Sequence, residues 1–304
     1  MTATALTTGA SQQAIQDHYD LSNQFYRLWL DPLMVYSGAM WQEGDDLQQA
    51  QIRKLEHHIA ASRAQGKSRV LEIGCGWGAL LDRLVDHHGV SQAVGLTLSQ
   101  AQLDWMRAAA HPKVEAHLEA WQDHQPGTPY DAIISIGAFE HFASLDMSEA
   151  EKVEAYRRFF AHSRELLHRG GYLSLQTFAY GSAFPRDKAK GKESTEFLAR
   201  EIFRETDPPR LANIAEAIEG RFELIDMHND RLGYARTCKA WLDNMRQRQN
   251  EAVRLIGRDA YQRYQTYLSY SYIGFKTGNL DLYRITLKRV EPRVTVAAAE
   301  GAAS

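Results

Sequence analysis

The chain has 304 residues, of which 44% are hydrophobic and 24% are charged, and its formal net charge is −3. A chain of this size and composition can bury a core without covalent cross-links, and its charge balance excludes a strong overall attraction to nucleic acid. The two cysteines, Cys75 and Cys238, do not form a disulfide framework, so a cytoplasmic location is expected.

The N-terminal part, residues 1–64, is predicted to be a helical cap segment. Residues 1–12 are rich in small side chains and lack the basic and apolar stretches of a signal peptide. Helices are predicted within 13–64, and the last of them carries an apolar stripe at Leu47, Ala50, Leu55 and Ile59. The doublet His57-His58 is interpreted as surface rather than as metal ligands, because adjacent helical residues point in different directions; no metal site is predicted.

Residues 65–178 alternate between strand and helix patterns and are predicted to form the core. Strands are expected at 68–73, 92–96, 114–118, 130–136 and 172–178, and helices at 78–88, 99–110 and 151–167. Because strands that alternate with helices form parallel sheets covered on both faces, an α/β fold is predicted. No apolar run approaches the roughly 20 residues of a membrane span.

The remaining chain is predicted to contain a lid and the end of the core. The alternation of strands and helices breaks off at 179–207, and residues 179–219 are interpreted as an inserted lid or substrate-binding segment. Its basic residues either form a solvated loop or recognise an anionic head group: Arg186, Lys188, Lys190 and Lys192. Residues 220–292 are predicted to complete the core with two long helices and two strands, and 293–304 to form a disordered tail.

A glycine-rich turn follows the first predicted strand, in the stretch Glu72-Ile-Gly74-Cys-Gly76-Trp-Gly78. Glycine allows the backbone to approach a ligand closely. The spacing is not the GxGxxG of a dinucleotide site, and the second strand ends in Gly95-Leu-Thr97 without a carboxylate, which argues against NAD. The remaining alternatives are a site for another nucleoside cofactor and a tight turn with no ligand.

The chain resembles the cyclopropane fatty acid synthase and mycolic acid cyclopropane synthase family over about residues 15–290. The resemblance is carried by the glycine-rich turn and by several ordered blocks, namely His18-Tyr-Asp-Leu-Ser22, Tyr36-Ser-Gly-Ala-Met-Trp41, Val94-Gly-Leu-Thr-Leu-Ser99, Ile134-Ser-Ile-Gly-Ala-Phe-Glu-His-Phe142 and Leu268–Leu282. It implies an S-adenosylmethionine-dependent methyltransferase with a class I Rossmann-like fold. Such a fold has a mostly parallel seven-stranded sheet with helices on both faces.

The resemblance also implies which residues hold the cofactor, whose spent form is S-adenosylhomocysteine. They would surround its methionine end, its ribose and its adenine: Tyr36, Ser37, Gly74, Gly76, Thr97, Leu98, Gln102, Ala120, Trp121 and Ile136. Ligands of open α/β sheets bind outside the carboxyl ends of the strands, where these residues are expected.

The expected catalytic group comprises Glu140, His141, Gln176 and Tyr234. Glu140 follows a strand and would act as a base. In the family, a bicarbonate is held by a glutamate, a tyrosine, a histidine and a cysteine. Glu140 and Tyr234 match the first two, but Gln176 and Gly38 stand where the family has histidine and cysteine. The two departures argue against a bound bicarbonate and against ring closure.

Methyl transfer to an alkene leaves a carbocation, which aromatic rings can stabilise. The rings at Tyr261, Tyr264, Tyr267, Tyr270, Tyr272 and Phe275 either stabilise it or pack into the core. The substrate pocket is predicted to include Gly38, Phe142, Tyr180, Tyr267, Tyr270 and Phe275.

The predicted function is methylation of an alkene carbon in a hydrophobic acceptor, either an isoprenoid such as a prenyl diphosphate or an unsaturated acyl chain. Three alternatives stay open: a cyclopropane synthase acting on lipids, an N- or O-methyltransferase of a small metabolite, and a non-catalytic binding module. No nucleic-acid partner is predicted. Peripheral membrane contact and the oligomeric state, a dimer included, are left open.

Overall fold

A single mixed sheet forms the centre of the computed structural model, which describes residues 10–19, 21–182, 196–202 and 205–291. Two stretches of the predicted lid, 183–195 with its four basic residues and 203–204, lie outside the described residues, as does the predicted C-terminal tail. Within the described residues the sheet has seven strands in the order β3-β2-β1-β4-β5-β7-β6. They are β1 Arg69–Ile73, β2 Gln92–Thr97, β3 Val114–Leu118, β4 Tyr130–Ile136, β5 Leu167–Tyr180, β6 Phe222–Asn229 and β7 Leu280–Arg289.

The strands from β3 to β5 are parallel, and β7 runs antiparallel between β5 and β6. This arrangement is the mostly parallel seven-stranded sheet that the sequence predicts. The run of buried apolar residues in β1 and β4 suits central strands that are covered on both faces. Each parallel crossover brings the carboxyl ends of β1, β2 and β4 to the same edge of the sheet.

The described α-helices are α1 Gln12–Tyr19, α2 Asn23–Tyr26, α3 Leu47–Ala61, α4 Ala79–His87, α5 Gln100–Ala109, α6 Glu149–Leu166, α7 Leu211–Ile218, α8 Arg231–Gln247 and α9 Gln249–Thr277, which is kinked at the non-helical Gly257. Asp46 and Ser148 begin α3 and α6 with reciprocal capping boxes, which satisfy backbone donors at the helix start. Two sequence predictions differ from the structure. The helix expected at 23–30 is α2, which ends after one turn, and β5 begins at Leu167, directly where α6 ends.

Three apolar clusters hold these elements together. One joins α6 and α7 to the sheet, and a second joins α3 and α4 to the opposite face. The third packs α2 against α8 and α9 around Trp29, Trp241 and Tyr264. The N-terminal helices are thereby fixed beside the two long helices, next to the edge where the strands end. Among the described helices, none is long and apolar enough to cross a membrane.

Candidate active site

The glycine-rich turn between β1 and α4 forms the floor of the site. Gly74, Gly76 and Gly78 all have positive φ angles, of 81°, 54° and 90°. A Cβ at Gly74 would lie 2.6 Å from Ala138, so a side chain there would collide with the segment that follows β4. At Gly76 a Cβ would meet nothing within 4 Å, so its backbone faces open space. The turn is therefore close-packed on one side and open to a ligand on the other.

A large cavity opens above this turn. All ten residues that the sequence assigns to the cofactor line it, together with His141 and Phe142. Ala10 and Ile15 also belong to its wall, so the start of the described chain covers the cavity. The backbone N–H of Ala10 donates to the carbonyl of His141 at 2.8 Å, which fastens this cover to the segment after β4.

The far end of the cavity is built around the start of α5. The Ser99 hydroxyl accepts from the backbone N–H of Gln102 and caps this helix. The Thr97 hydroxyl donates to the side-chain oxygen of Gln102 at 2.7 Å. That bond directs the amide oxygen of Gln102 away from a ligand and leaves its amide nitrogen as the group that can donate to one.

A buried cation that the sequence analysis missed lies at the near end of the cavity. Lys54, on α3, is 1% exposed and donates from Nζ to the Ser37 hydroxyl at 2.8 Å. Burial, reinforced by the positive charge of Arg284, lowers the pKa of Lys54 to about 7. Glu72 lines the same cavity, and burial raises the pKa of its carboxyl well above the usual range.

Two buried polar atoms on this wall have no hydrogen-bond partner among the described residues: Oε2 of Glu72 and Nε1 of Trp121. Buried polar groups without partners are uncommon in native proteins, so each marks a place where a ligand is expected. The carboxyl of Glu72 lies beside the glycine turn, and the indole N–H of Trp121 lies just after β3. Together they match a ligand that has polar groups at both ends. S-adenosylmethionine is such a ligand, and the cavity residues fit it.

A smaller chamber adjoins the cavity and shares four wall residues with it, Tyr36, Ser37, Gly137 and His141. Its remaining walls are Glu140, Gln176, Phe178, Tyr234, Tyr267 and Leu282. All four residues of the predicted catalytic group therefore line one chamber. The Tyr36 hydroxyl donates to the Tyr267 hydroxyl at 2.8 Å, which joins the N-terminal segment to α9 across this space.

Glu140 lies in a short 3-10 helix, Phe139–Phe142, directly after β4. Its Oε1 accepts from the backbone N–H of Phe178 at 2.9 Å, whereas Oε2 has no partner among the described residues. Burial raises the pKa of this carboxyl to about 7, although hydrogen bonds from the backbone N–H groups of Glu140 and Phe178 oppose the shift. A carboxyl with this pKa can accept a proton near neutral pH.

The amide of Gln176 is held from two sides. Its Oε1 lies 3.2 Å from Nε2 of His58, and its Nε2 donates to the carbonyl of Gly38 at 3.3 Å. The interpretation of His58 as a surface residue is wrong, since the ring is fully buried and also contacts the Ser174 hydroxyl at 2.8 Å. The face of α3 that carries His58 packs on β5, where Ser174 and Gln176 offer it polar partners.

His141 faces both spaces but is not free to move. Its Nδ1 lies 2.8 Å from the Thr206 hydroxyl, and burial lowers the pKa of its ring to about 4. The ring is therefore neutral at physiological pH and can act as a hydrogen-bonding wall group rather than as a cation.

Tyr234 reaches the chamber from the first turn of α8, which Asp230 caps. Arg284 donates to Asp230 at 2.6 Å and also to the carbonyls of Gly38 and Ala39. A Cβ at Gly38 would lie 2.8 Å from Cγ of Tyr234. Glycine at this position is therefore coupled to the placement of the tyrosine ring.

The structure does not bring every predicted pocket residue to these walls. Gly38, Tyr180, Tyr270 and Phe275 are absent from the walls of both spaces. Tyr180 is buried and donates to Asp207 at 2.6 Å, while Tyr270 packs on Phe197. Phe275 stacks on Tyr234 with ring centroids 4.3 Å apart, so it supports a chamber wall from behind. Phe178 and Leu282, which the sequence analysis did not select, line the chamber instead.

The sheet order, the glycine turn and the cavity above it define a class I methyltransferase that uses S-adenosylmethionine. More narrowly, the chain belongs to the mycolic acid cyclopropane synthetase family, whose model matches residues 7–285. The chain is 32% identical over 291 residues to cyclopropane mycolic acid synthase MmaA2 of Mycobacterium tuberculosis, which covers 90% of this chain and 96% of the relative.

Two further relatives extend this comparison. A probable fatty acid methyltransferase of Pseudomonas putida is 30% identical over 280 residues, covering 90% of this chain and 68% of that protein. The crystal structure of mycolic acid cyclopropane synthase CmaA1 complexed with SAH and CTAB superimposes with a TM-score of 0.82 at 29% identity. That superposition covers 92% of this chain and 99% of the other.

Proposed function

We propose that this enzyme transfers a methyl group from S-adenosylmethionine to an alkene carbon of an unsaturated acyl chain and closes a cyclopropane ring. The observation that carries the proposal is the unpartnered Oε2 of the buried Glu140, in a chamber that shares walls with the cofactor cavity. The names of the relatives support the ring-forming alternative over the simple C-methylation that the sequence analysis preferred.

In this proposal, the methyl group passes from the cofactor cavity into the chamber at the wall that the two spaces share. Gly137 belongs to both spaces and precedes Glu140 by three residues. A methyl group that passes Gly137 into the chamber therefore arrives beside the carboxyl. A base in that position is better placed to remove a proton from the transferred methyl than from a more distant chain carbon.

The reaction balances with Glu140 as the only proton acceptor. The alkene π electrons bond to the methyl carbon while the methyl–sulfur bond breaks, leaving S-adenosylhomocysteine and a carbocation. Oε2 of Glu140 then takes a proton from the transferred methyl, and the freed C–H electrons form the third bond of the ring. The protonated carboxyl later releases its proton to solvent.

Aromatic rings are suited to stabilise the intermediate cation. Tyr36, Phe178, Tyr234 and Tyr267 all contribute to the chamber wall. A ring face stabilises a nearby cation by about 0.5–2 kcal/mol, and a dry chamber strengthens the effect. The same rings supply the apolar surface that an acyl chain requires.

Two features of the chamber argue against a bound bicarbonate. The oxygen of Gln176 is engaged by His58 and one amide hydrogen by Gly38, so at most one hydrogen bond remains for an anion. A cysteine at position 38 would collide with Tyr234. We therefore assign the proton transfer to Glu140 without an intervening anion.

A methylated alkene is the second candidate product, and the residues Gln176 and Gly38 favour it because both differ from the ring-forming family pattern. In that reaction, a neighbouring carbon of the chain would lose the proton instead of the methyl group. Both candidates share the methyl-transfer step and differ only in which proton Glu140 accepts.

One labelling experiment separates the candidates. The enzyme is incubated with S-adenosylmethionine that carries a trideuterated methyl, and with phospholipid vesicles that contain cis-monounsaturated chains. A cyclopropane keeps two deuterium atoms, and a methylated alkene keeps three, which mass spectrometry and NMR distinguish. Prenyl diphosphates and small amines or phenols are assayed in parallel. Vesicles of saturated lipid are the control, and labelling only of the other acceptors would refute the acyl-chain proposal.

A further inference from the structure

A buried histidine outside the chamber contacts a residue of its wall. His58 is on α3 and does not line either space, yet its Nε2 lies 3.2 Å from Oε1 of Gln176. Its Nδ1 lies 2.8 Å from the Ser174 hydroxyl, so both ring nitrogens have partners.

The contacts fix the orientation of the Gln176 amide. The carbonyl of Gly38 can only accept a hydrogen bond, so the amide nitrogen must face it and the amide oxygen must face His58. Nε2 of His58 is then the protonated ring nitrogen. Nδ1 carries the lone pair and accepts from the Ser174 hydroxyl, which fixes the tautomer of the ring.

The ring remains neutral in this surrounding. Burial lowers the pKa of His58 well below its usual value, and the positive charges of Arg284, His57 and Lys54 lower it further. The hydrogen bond to Gln176 opposes these effects. A neutral ring with a proton only on Nε2 is therefore the form that holds the amide.

One amide hydrogen of Gln176 is left without an acceptor among the described residues, in a chamber wall that also contains the unpartnered Oε2 of Glu140. We propose that His58 is a positioning residue that keeps this N–H turned into the chamber, so that it donates to Oε2 of Glu140 once that carboxyl ionises. The inference rests on the proposed role of Glu140 as the base.

The other titratable groups that face Glu140 do not supply that stabilisation as a charge. His141 adjoins it and is neutral, and the phenols of Tyr36, Tyr234 and Tyr267 line the same chamber. A hydrogen bond donated to a carboxylate favours its charged form and lowers its pKa. Loss of the N–H that Gln176 donates should therefore raise the pKa of Glu140, so that the carboxyl ionises and can act as a base only at higher pH.

The test uses four single variants of the full chain, one of them a control, and one double variant. His58→Leu removes the ring donor, His58→Gln places an amide N–H near the position of Nε2, and Gln176→Leu removes the amide. His57→Leu is the matched control, because His57 is the neighbour of His58 on α3. The stoichiometry of cofactor binding, measured by calorimetry, gives the fraction of correctly folded enzyme by which each rate is corrected.

For His58→Leu we expect kcat to fall about tenfold, as expected for the loss of one hydrogen bond, with the affinity for S-adenosylmethionine unchanged. The acidic limb of the kcat profile should move to higher pH by about half a unit to one unit. His58→Gln should restore most of the rate. Adding His58→Leu to Gln176→Leu should have no further effect on kcat, because His58 acts through Gln176.

A merely structural role predicts a different set of results. In that case the rate per folded enzyme and the pH profile of His58→Leu match the native protein, or the effects of the two leucine variants add, and either result overturns the inference. Nitrogen-15 NMR of His58 is independent of turnover. A proton on Nδ1 rather than Nε2 would refute the positioning role, whereas inactivity towards every unsaturated chain would refute only the proposed function.

Discussion

Lys54 and Ser37 join the face of α3 to the cofactor cavity through a hydrogen bond of 2.8 Å from Nζ to Oγ. The ammonium group is almost completely buried, and the hydroxyl that it contacts lies on the wall shared by the cavity and the chamber. A buried cation in this position is suited to attract the carboxylate end of the cofactor while it orients Ser37.

We predict that Lys54→Met weakens the binding of S-adenosylmethionine about tenfold, because a charge-assisted interaction is lost. The pKa of Lys54 is lowered to about 7, so the free enzyme loses this charge as the pH rises through that value. Cofactor affinity should fall above neutral pH in the native protein but not in the variant. Isothermal calorimetry from pH 6 to 9 measures both effects.

The exposed Lys67, between α3 and β1, provides the control. Lys67→Met removes the same charge from the surface and should leave the affinity and its pH dependence unchanged. Equal affinities for the native protein and Lys54→Met would contradict a role for this cation in cofactor binding.

Glu140→Gln tests the base directly. We expect turnover to fall by at least about a hundredfold, the usual size of a general-base contribution, while the cofactor affinity stays within about twofold. Because the pKa of the native carboxyl is raised to about 7, the ionised base forms only as the pH rises through that value. The rate of the native enzyme should therefore increase between about pH 6 and 8.

Stability should show the opposite trend to activity. A raised pKa means that the folded state holds this proton more tightly than the unfolded state. Between pH 4.5 and about pH 7 the unfolded state loses the proton while the folded state keeps it, so the free energy of unfolding falls as the pH rises. The Glu140→Gln variant has no carboxyl at this position, so its free energy of unfolding should not fall in this way as the pH rises. Glu165→Gln on the exposed side of α6 is the control, and a parallel loss of cofactor binding and turnover in Glu140→Gln would argue against a catalytic role.

The sequence predicts the sheet well because its strands carry local signals. The apolar runs of β1 and β4 indicate strands that are buried on both faces, and the structure shows both strands buried over most of their length. The blocks that resemble the family likewise placed all ten expected cofactor residues around one cavity. These features follow from residues that are close in sequence or that match a known pattern.

The polar interior could not be predicted in this way. Lys54 and His58 are normally surface residue types, and their burial depends on Ser37, Ser174 and Gln176, which are distant in the chain. The aromatic stripe of α9 shows the same limit. Helical spacing places Tyr267 and Phe275 near one face, but only the packing of whole helices decides that Tyr267 reaches the chamber.

The glycine at position 38 yields a prediction about stability. Gly38→Cys restores the residue type of the family, but its Cβ would lie 2.8 Å from Cγ of Tyr234 and 2.9 Å from Leu282. Cγ is the fixed end of the tyrosine side chain, so the ring cannot simply rotate away. We expect a loss of about 1–3 kcal/mol in the free energy of unfolding, measured by urea denaturation, together with reduced turnover.

Two further variants show whether the collision with Tyr234 causes the loss of stability in Gly38→Cys. Gly127→Cys, at an exposed position where a Cβ would meet nothing within 4 Å, should be nearly neutral. Combining Gly38→Cys with Tyr234→Ala should recover part of the stability, because the colliding ring is removed. If Gly38→Cys alone is as stable as the native protein, the coupling between this glycine and Tyr234 is refuted.

The buried ion pair of Lys152 and Asp207 anchors the later part of the predicted lid segment, 205–219, to α6. Asp207 also accepts from the hydroxyl of Tyr180, and its backbone N–H donates to the carbonyl of Ala143. The neighbouring Thr206 contacts Nδ1 of His141, so this anchor also supports a wall of the active site.

We predict that Lys152→Met lowers the free energy of unfolding by about 3–5 kcal/mol, because it leaves the carboxylate of Asp207 buried without its cation. The double variant Lys152→Met/Asp207→Leu should regain much of this loss, since no uncompensated charge remains. Lys239→Met breaks an exposed pair with Asp243 and should change stability by less than about 1 kcal/mol. If urea unfolding gives similar values for Lys152→Met and Lys239→Met, the buried pair is not an anchor, and cofactor binding in Lys152→Met should then be normal.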